Sequence, residues 1–234
     1  MPDFTILLPP SRRKQPGGNP FAPDMFDYRS SNTFNFFSEL NPARRDLIDD
    51  LHEAMDGASH AEIAGFLDIE EDEVEEAIET NEEILDSPLM SALDRYSPGP
   101  MYQAMDFANL PTGAQRRMLE NGVIFSGLFG LLRPDDLIPN YVVPLTADLP
   151  EVGPVADYWR ESVSELLNDA LEGEFVWDFL NEECYEVWEN EHTYQRLVKI
   201  TFYLEDEDEE LYEVTDPEEL DDLQGQLIGF LVDE

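Results

Sequence analysis

The feature that most constrains this chain is its charge: 54 acidic residues stand against 13 basic ones in 234 positions, a formal net charge of −41. A shell of one sign repels itself and works against a compact state. Salt relieves that repulsion, because the Debye length falls from about 10 Å at 0.1 M to about 3 Å at 1 M. Hydrophobic residues at 42% and aromatics at 11% still supply a sizeable core, so the charge does not imply disorder. Lys14 and Lys199 are the only lysines, and the remaining bases are arginines. An acid-rich, lysine-poor surface around an ordinary core is the composition expected of a halophilic protein in a salt-filled cytoplasm. The acids run through nearly every segment, which argues against a nucleic-acid mimic, where one acidic face suffices.

A single cysteine, Cys184, excludes an internal disulfide and a multi-cysteine zinc site. His52, His60 and His192 lack metal-ligand spacing, so neither a metal nor a cofactor is expected. The opening Met1–Pro10 stretch has no basic n-region and too short an apolar run for a signal peptide. No stretch approaches the ~20 apolar residues of a membrane span. These features together predict a cytoplasmic protein without membrane partners.

Along the chain, Phe4 to Leu8 reads as a buried strand ending at Pro9-Pro10 and feeding a loop through Gly18. Residues 19 to 38 read as an extended ordered segment. Asn41-Pro42 opens a helix with Asn41 as its cap, and Ala61–Phe66 and Glu71–Ile84 form a helical pair. A helix over Met101–Leu110, a buried strand over Gly122–Ser126 and an amphipathic helix over Val155–Leu171 follow. Phe175–Phe179 is a third strand, Asn181–Glu189 a short helix, and Arg196–Leu204 an alternating strand. Glu205–Glu210 is an acidic loop or hairpin tip, Pro217–Leu223 a short helix, and the last residues a terminal strand. Strands separated by helices predict an α/β (mixed α+β) fold: a compact mixed sheet flanked by helices. It is read as one domain over 1–234, with a helical insertion at 41–95 and an atypical acidic part at 196–234.

Chemistry concentrates in few places. Arg12-Arg13-Lys14 holds three of the thirteen bases in a loop that follows a strand, begins with Ser11 and ends in two glycines. Such a loop suits an anion or phosphate cradle, or equally a surface segment paired to acids. No Walker motif is present. Arg133, beside Pro134 and two carboxylates, either clamps an anion or pairs with Asp136 inside the fold. Tyr102, Tyr141, Tyr158 and Trp159 form either an aromatic wall for a base or part of the core. Asp178, at a strand end, is the carboxylate to watch, with Glu183 nearby. The helical pair has helix-turn-helix spacing, but its second helix carries Glu70, Glu71, Asp72, Glu73, Glu75, Glu76 and Glu79. Duplex binding needs cations against phosphates, and this face has none.

Taken in order, these landmarks resemble the YaaA peroxide-stress protein family. The matching pieces are Ile6-Leu7-Leu8-Pro9-Pro10-Ser11 with Lys14, the Tyr96-to-Ala104 turn and helix, and Phe125-to-Pro134. Asp136, Ile138-Pro139-Asn140-Tyr141, Tyr158-Trp159 and Asp178 continue the match, over roughly residues 4 to 185. The resemblance implies a compact α/β fold with a helical subdomain likened to DNA-binding units, and a role in peroxide stress through DNA binding in a basic cleft. It places Ser11, Lys14, Tyr102, Arg133, Asp136, Tyr141, Tyr158, Trp159 and Asp178 in that cleft. Three departures stand out: an acidic helical subdomain, Cys184 where a tyrosine is usual, and acids from Glu205 to Glu210 in place of a basic C-terminal segment.

Three functions follow. One is a stress-response protein that binds DNA in the small basic cleft. Another is an enzyme acting on a nucleotide, nucleoside or damaged base: Lys14, Arg12 and Arg133 grip phosphate, and Asp178 or Asp136 moves a proton. The third is an acidic interaction protein with a decayed site. A nucleotide-like anion suffers less from the surface charge than a duplex does.

Overall fold

The computed structural model describes residues 4–19, 36–205 and 210–234. Most of the expected extended segment at 19–38, and the centre of the acidic loop at 206–209, lie outside them. Strand β1 (Phe4–Leu8) leads to the helices α1 (Asn41–Met55), α2 (His60–Leu67) and α3 (Val74–Glu82). The short strand β2 (Met90–Ser91) runs into α4 (Ala92–Tyr96), followed by α5 (Pro100–Met105) and α6 (Thr112–Asn121). Next come β3 (Gly122–Ser126), β4 (Gly130–Leu132), β5 (Leu137–Ile138), β6 (Asp148–Leu149) and β7 (Gly153–Pro154). The remainder is α7 (Val155–Ala170), β8 (Phe175–Asp178), α8 (Glu182–Val187), β9 (Arg196–Lys199), β10 (Tyr203–Glu205), β11 (Leu211–Glu213) and α9 (Pro217–Asp233).

The fold is mixed α/β. Five strands form the central sheet in the order β4-β3-β1-β8-β9. Strands β3, β1, β8 and β9 run parallel, and β4 turns back antiparallel on β3. Parallel strands covered on both faces need apolar side chains throughout, and Ile6, Leu7, Leu8, Ile124 and Phe125 are fully buried. Core side chains of α1–α3, such as Leu47, Leu51, Ile63 and Val74, belong to the same apolar cluster as the sheet.

Local chemistry explains the edges of the elements. Ser59 and Glu62 form a reciprocal capping box at the start of α2, which Asp68 closes in the left-handed region at φ 52°. Helix α1 begins at Asn41 itself, one residue before the expectation that Asn41 would cap it; Leu40 holds the cap position. The expected single strand over 196–204 is broken into β9 and β10, with β10 pairing β11 in a separate hairpin. The expected terminal strand is helix: α9 continues from Pro217 to Asp233. Its glycines allow this. A Cβ on Gly225 would lie against the Met101 carbonyl and 2.8 Å from Ala104 Cβ, so bare backbone lets α9 sit directly on α5.

Two buried arginines staple the fold by donating to backbone carbonyls. Arg44 of α1 is fully buried and donates to the carbonyls of Phe129 at 3.0 Å and Leu131 at 2.7 Å. It thereby fixes the helical segment to the β3–β4 turn. Arg95 of α4, also fully buried, donates to the carbonyls of Gln15, Pro88 and Ile138.

Candidate functional site

The strand order creates one switch point worth attention. The chain leaves β1 towards β3 on one side, while β8 leads on to β9 on the other. In open α/β sheets ligands collect where neighbouring parallel strands send their connections in opposite directions, beyond the carboxyl ends. Here those ends are Leu8 and Asp178, in neighbouring strands with Leu7 opposite Asp178. The loop carrying Ser11, Arg12, Arg13 and Lys14 leaves from this place.

The loop is tied down at both ends. The Gln15 N–H donates to the Arg95 carbonyl at 2.7 Å, and the Arg95 guanidinium donates back to the Gln15 carbonyl. The Ser11 hydroxyl donates to the Arg13 carbonyl at 2.8 Å and lies against Gly99, where any Cβ would collide with it. Arg12 bridges the C-terminal end of α2 and helix α8, 3.6 Å from Asp68 and 3.7 Å from Glu183. Arg13 pairs with Glu218 of α9 at 3.4 Å.

Lys14 differs from both neighbours. Among the described residues no carboxylate lies within ion-pair distance of it. Its Nζ stands 4.5 Å from the ring centroid of Tyr141 and 5.8 Å from that of Tyr96. Burial, then the nearby guanidinium groups of Arg95 and Arg12, push its amine down to about 7. Beneath it the Tyr96 and Tyr141 hydroxyls are hydrogen-bonded, and Tyr141 also meets Ser126 Oγ at 2.8 Å. Burial holds both phenols well protonated, Tyr141 at about 12.

At the end of β8, beside β1, Asp178 is buried. It accepts from the Leu180 N–H at 3.0 Å and from the Tyr185 hydroxyl at 2.6 Å. Lys199 Nζ lies 4.5 Å above the Tyr185 ring. Tyr102 is buried, and its hydroxyl donates to the Pro9 carbonyl at 2.7 Å, under the same loop. Cys184 is buried and its thiol is pushed up by desolvation, so it is a packing residue.

Arg133 and Asp136 lie elsewhere. Strand β4 runs antiparallel to β3, so the chain after it descends towards the amino end of β3. Arg133 donates to the Leu119 carbonyl of α6 at 2.6 Å and stacks 4.3 Å from the Phe36 ring centroid. Asp136 accepts from the Arg133 N–H at 2.7 Å and the Phe36 N–H at 2.9 Å, and burial raises it to about 6. Lys14 stands over the residues at the carboxyl end of β3, so it and Arg133 face opposite ends of the sheet. The expected side-chain pair of Arg133 with Asp136 is not among the ion pairs of the described residues: the guanidinium meets the Leu119 carbonyl, and only the Arg133 backbone N–H reaches Asp136. Trp159 is fully buried, donates to the Gly127 carbonyl at 2.7 Å and packs where a Gly130 Cβ would stand. Tyr158 donates to the Ala43 carbonyl at 2.7 Å, so these two rings brace α7 rather than stand beside Lys14.

Around Lys14 stand Arg95, Tyr96 and Ser126, and beside Asp178 stand Tyr185 and Lys199, none of which the sequence reading placed in the site. The family description of peroxide stress protein YaaA matches residues 4–215. The chain belongs to the YaaA peroxide-stress protein family. It is 30% identical over 185 residues to a UPF0246 protein of Streptomyces coelicolor, covering 78% of this chain and 66% of that protein. A UPF0246 protein of Corynebacterium glutamicum is 33% identical over 168 residues, covering 70% of this chain and 62% of its own length. The chain thus spans a little under two thirds of the length of these YaaA-family relatives. No helix among the described residues is long and apolar enough to cross a membrane.

Proposed function

We propose that this YaaA-family chain serves a cytoplasmic peroxide-stress response by binding a small nucleotide-like anion at the carboxyl ends of β1 and β8, with Lys14 meeting the anion. The observation that carries this reading is Lys14 itself: it stands over two tyrosine rings with no carboxylate of the described residues within ion-pair distance, while Arg12 and Arg13 are both ion-paired. An anion brought to this amine restores the opposite charge that the fold withholds. Ser11 and Arg12 line the approach, and Asp178 is the carboxylate available for proton transfer should turnover accompany binding. Asp136 and Arg133 are structural in this account.

Binding of DNA is the weaker reading. The exposed faces of α2 and α3 are acidic, with Glu71, Asp72, Glu75, Glu76 and Glu79 all in solvent, and the two exposed loop arginines are already neutralised. The deciding experiment is calorimetric titration with a nucleotide panel beside gel-shift assays with duplex DNA, both at about 2 M KCl to screen the surface. The expected result is nucleotide binding with proton uptake near pH 7, lost at least about ten-fold in Lys14→Ala, because one charged contact is worth 1.5–3 kcal/mol or so. Duplex binding without any nucleotide binding, or nucleotide binding indifferent to Lys14→Ala, sinks the proposal.

A further inference from the structure

We propose that helix α9 is the docking surface for a second copy of this chain, the two helices lying antiparallel across a two-fold axis. The helix has two apolar faces. One, made of Gly225, Ile228, Gly229 and Val232, is buried, and its glycines lie against Met101, Ala104 and Met105 of α5. The other is made of Leu220, Leu223, Leu227 and Phe230, whose spacing of three, four and three residues keeps them in one row. At about 100° per residue this row falls on the side of the helix turned away from the glycines. The three leucines are half-buried and Phe230 is 60% exposed. Leu227 reaches the core cluster, whereas Leu220, Leu223 and Phe230 stand outside it. A surface helix with one packed face normally carries polar residues on the opposite one, so a second apolar row calls for a second partner.

Charge decides the occupant. Two copies at −41 each repel one another over most of their surface. From Gln224 to Val232 α9 carries no charged residue, whereas Glu218, Glu219, Asp221 and Asp222 crowd its first turns. The uncharged half is therefore where a second copy can approach without setting acid against acid. A basic partner would instead find its carboxylates everywhere except on this row. The row also complements itself: in antiparallel pairing Leu223 of one copy faces Phe230 of the other, and both Leu227 side chains lie beside the axis. The acidic first turns then meet only Asp233 and Glu234 of the other copy at the rim, where molar salt screens them. Parallel pairing would set Glu219 and Asp222 beside their own images, which like charges disfavour. With 17 residues the helix is about 25 Å long and about 10 Å wide. Such a strip falls short of the ~800 Å² per partner of a standard interface, so the dimer is weak and reversible.

Sedimentation equilibrium of the full-length protein at about 2 M KCl tests this, with loading from about 5 to 500 μM. The wild type is expected to pass from monomer to dimer within that range, and Phe230→Glu to weaken association at least about ten-fold. Phe230 lies outside the core cluster, so the variant keeps its fold, which circular dichroism checks. Leu211→Ser alters a residue that is 70% exposed on the β10–β11 hairpin and is expected to leave the dimer unchanged. Cross-linking reads the arrangement. Cys184 is the only cysteine and is buried, so a thiol introduced by Leu227→Cys or Leu220→Cys is the reactive one. Under copper-phenanthroline oxidation Leu227→Cys is expected to give a covalent dimer. Leu220→Cys is not, because antiparallel pairing holds its two thiols about 20 Å apart, beyond disulfide reach. A wild type that stays monomeric to about 500 μM overturns the proposal. So does a dimer indifferent to Phe230→Glu, or one that Leu211→Ser dissolves. Cross-linking through Leu220→Cys but not Leu227→Cys overturns the antiparallel arrangement.

Discussion

Lys14 illustrates how local terms defeat a global field. A net charge of −41 favours protonated lysines everywhere, yet desolvation and two arginines bring this amine down to about 7. The global field is screened within about 3 Å at molar salt, whereas contacts inside the fold are not. A lysine whose folded pKa lies below its unfolded value of about 10.4 costs stability while it is held protonated. That cost is present in full below pH 7 and fades as pH rises from about 7 to 10.5, because the unfolded chain then holds more protons than the folded one. Lys14→Met is therefore expected to unfold later than wild type at pH 6, by a margin on the order of 3 kcal/mol, and to lose that advantage by about pH 10. Denaturant midpoints at the two pH values check this, and an equal difference at both refutes it. Arg133 gives the opposite case. Removing it strands the Leu119 carbonyl and uncovers Phe36, so Arg133→Ala should cost about 1–3 kcal/mol of stability while ligand affinity stays within about two-fold. A ten-fold loss of affinity in a folded Arg133→Ala protein would return that residue to the ligand site.

At the scale of elements, the legible parts were those where pattern and burial coincide. Phe4–Leu8 and Gly122–Ser126 are strands over the residues read from sequence, because an acid-free apolar run in so acidic a chain has nowhere to go but the core. Helix α7 likewise follows from Trp159, Val163 and Leu167 recurring on one face. The illegible parts depended on partners far away in sequence. Nothing local predicts α6, which connects α5 to β3, and the expected Met101–Leu110 helix stops at Met105, where Asp106 turns left-handed at φ 49°. The apolar end of the chain was expected as a strand, yet it is helix, and Gly225 and Gly229 let α9 touch α5. The site was legible in part for the same reason. Lys14 and Asp178 stand at strand ends, while Arg133 has a carbonyl partner that only the antiparallel return of β4 brings near. Two glycine substitutions separate these effects. Gly65→Ala, open to solvent inside α2, should stabilise by about 0.5–1 kcal/mol through helix propensity. Gly225→Ala should destabilise by about 1–3 kcal/mol through overpacking against Met101 and Ala104. Thermal melts of the two variants should move in opposite directions, and a stabilising Gly225→Ala would mean that α9 does not seat on α5.

For the whole molecule, the question is what holds a chain of this charge together. Six ion pairs of described residues involve only Arg12, Arg13, Arg116 and Arg160, all on the surface, where each is worth about 0.2–1 kcal/mol. Such pairs cannot offset the repulsion of an excess of 41 acids. The buried Arg44 and the partly buried Arg133 use donors on backbone carbonyls. Two effects of salt therefore compete. Screening weakens the surface pairs, including the Arg12 bridge between Asp68 and Glu183, but it weakens the far more numerous like-charge repulsions as well. With acids outnumbering bases about fourfold, relief of repulsion wins, and stability should climb as KCl rises from about 0.05 M to 2 M. Small-angle scattering and circular dichroism across that series should show an expanded chain at the low end and a compact one at the high end. The same series run at about pH 4.5, where many carboxylates are neutral, should show a much flatter salt dependence, because protonation removes the charge that the salt otherwise screens. A fully compact, cooperatively melting protein in salt-free buffer at pH 7 would refute the link between this composition and a high-salt cytoplasm. A salt dependence as steep at pH 4.5 as at pH 7 would assign the stabilisation to preferential exclusion of the salt from apolar surface instead of to charge.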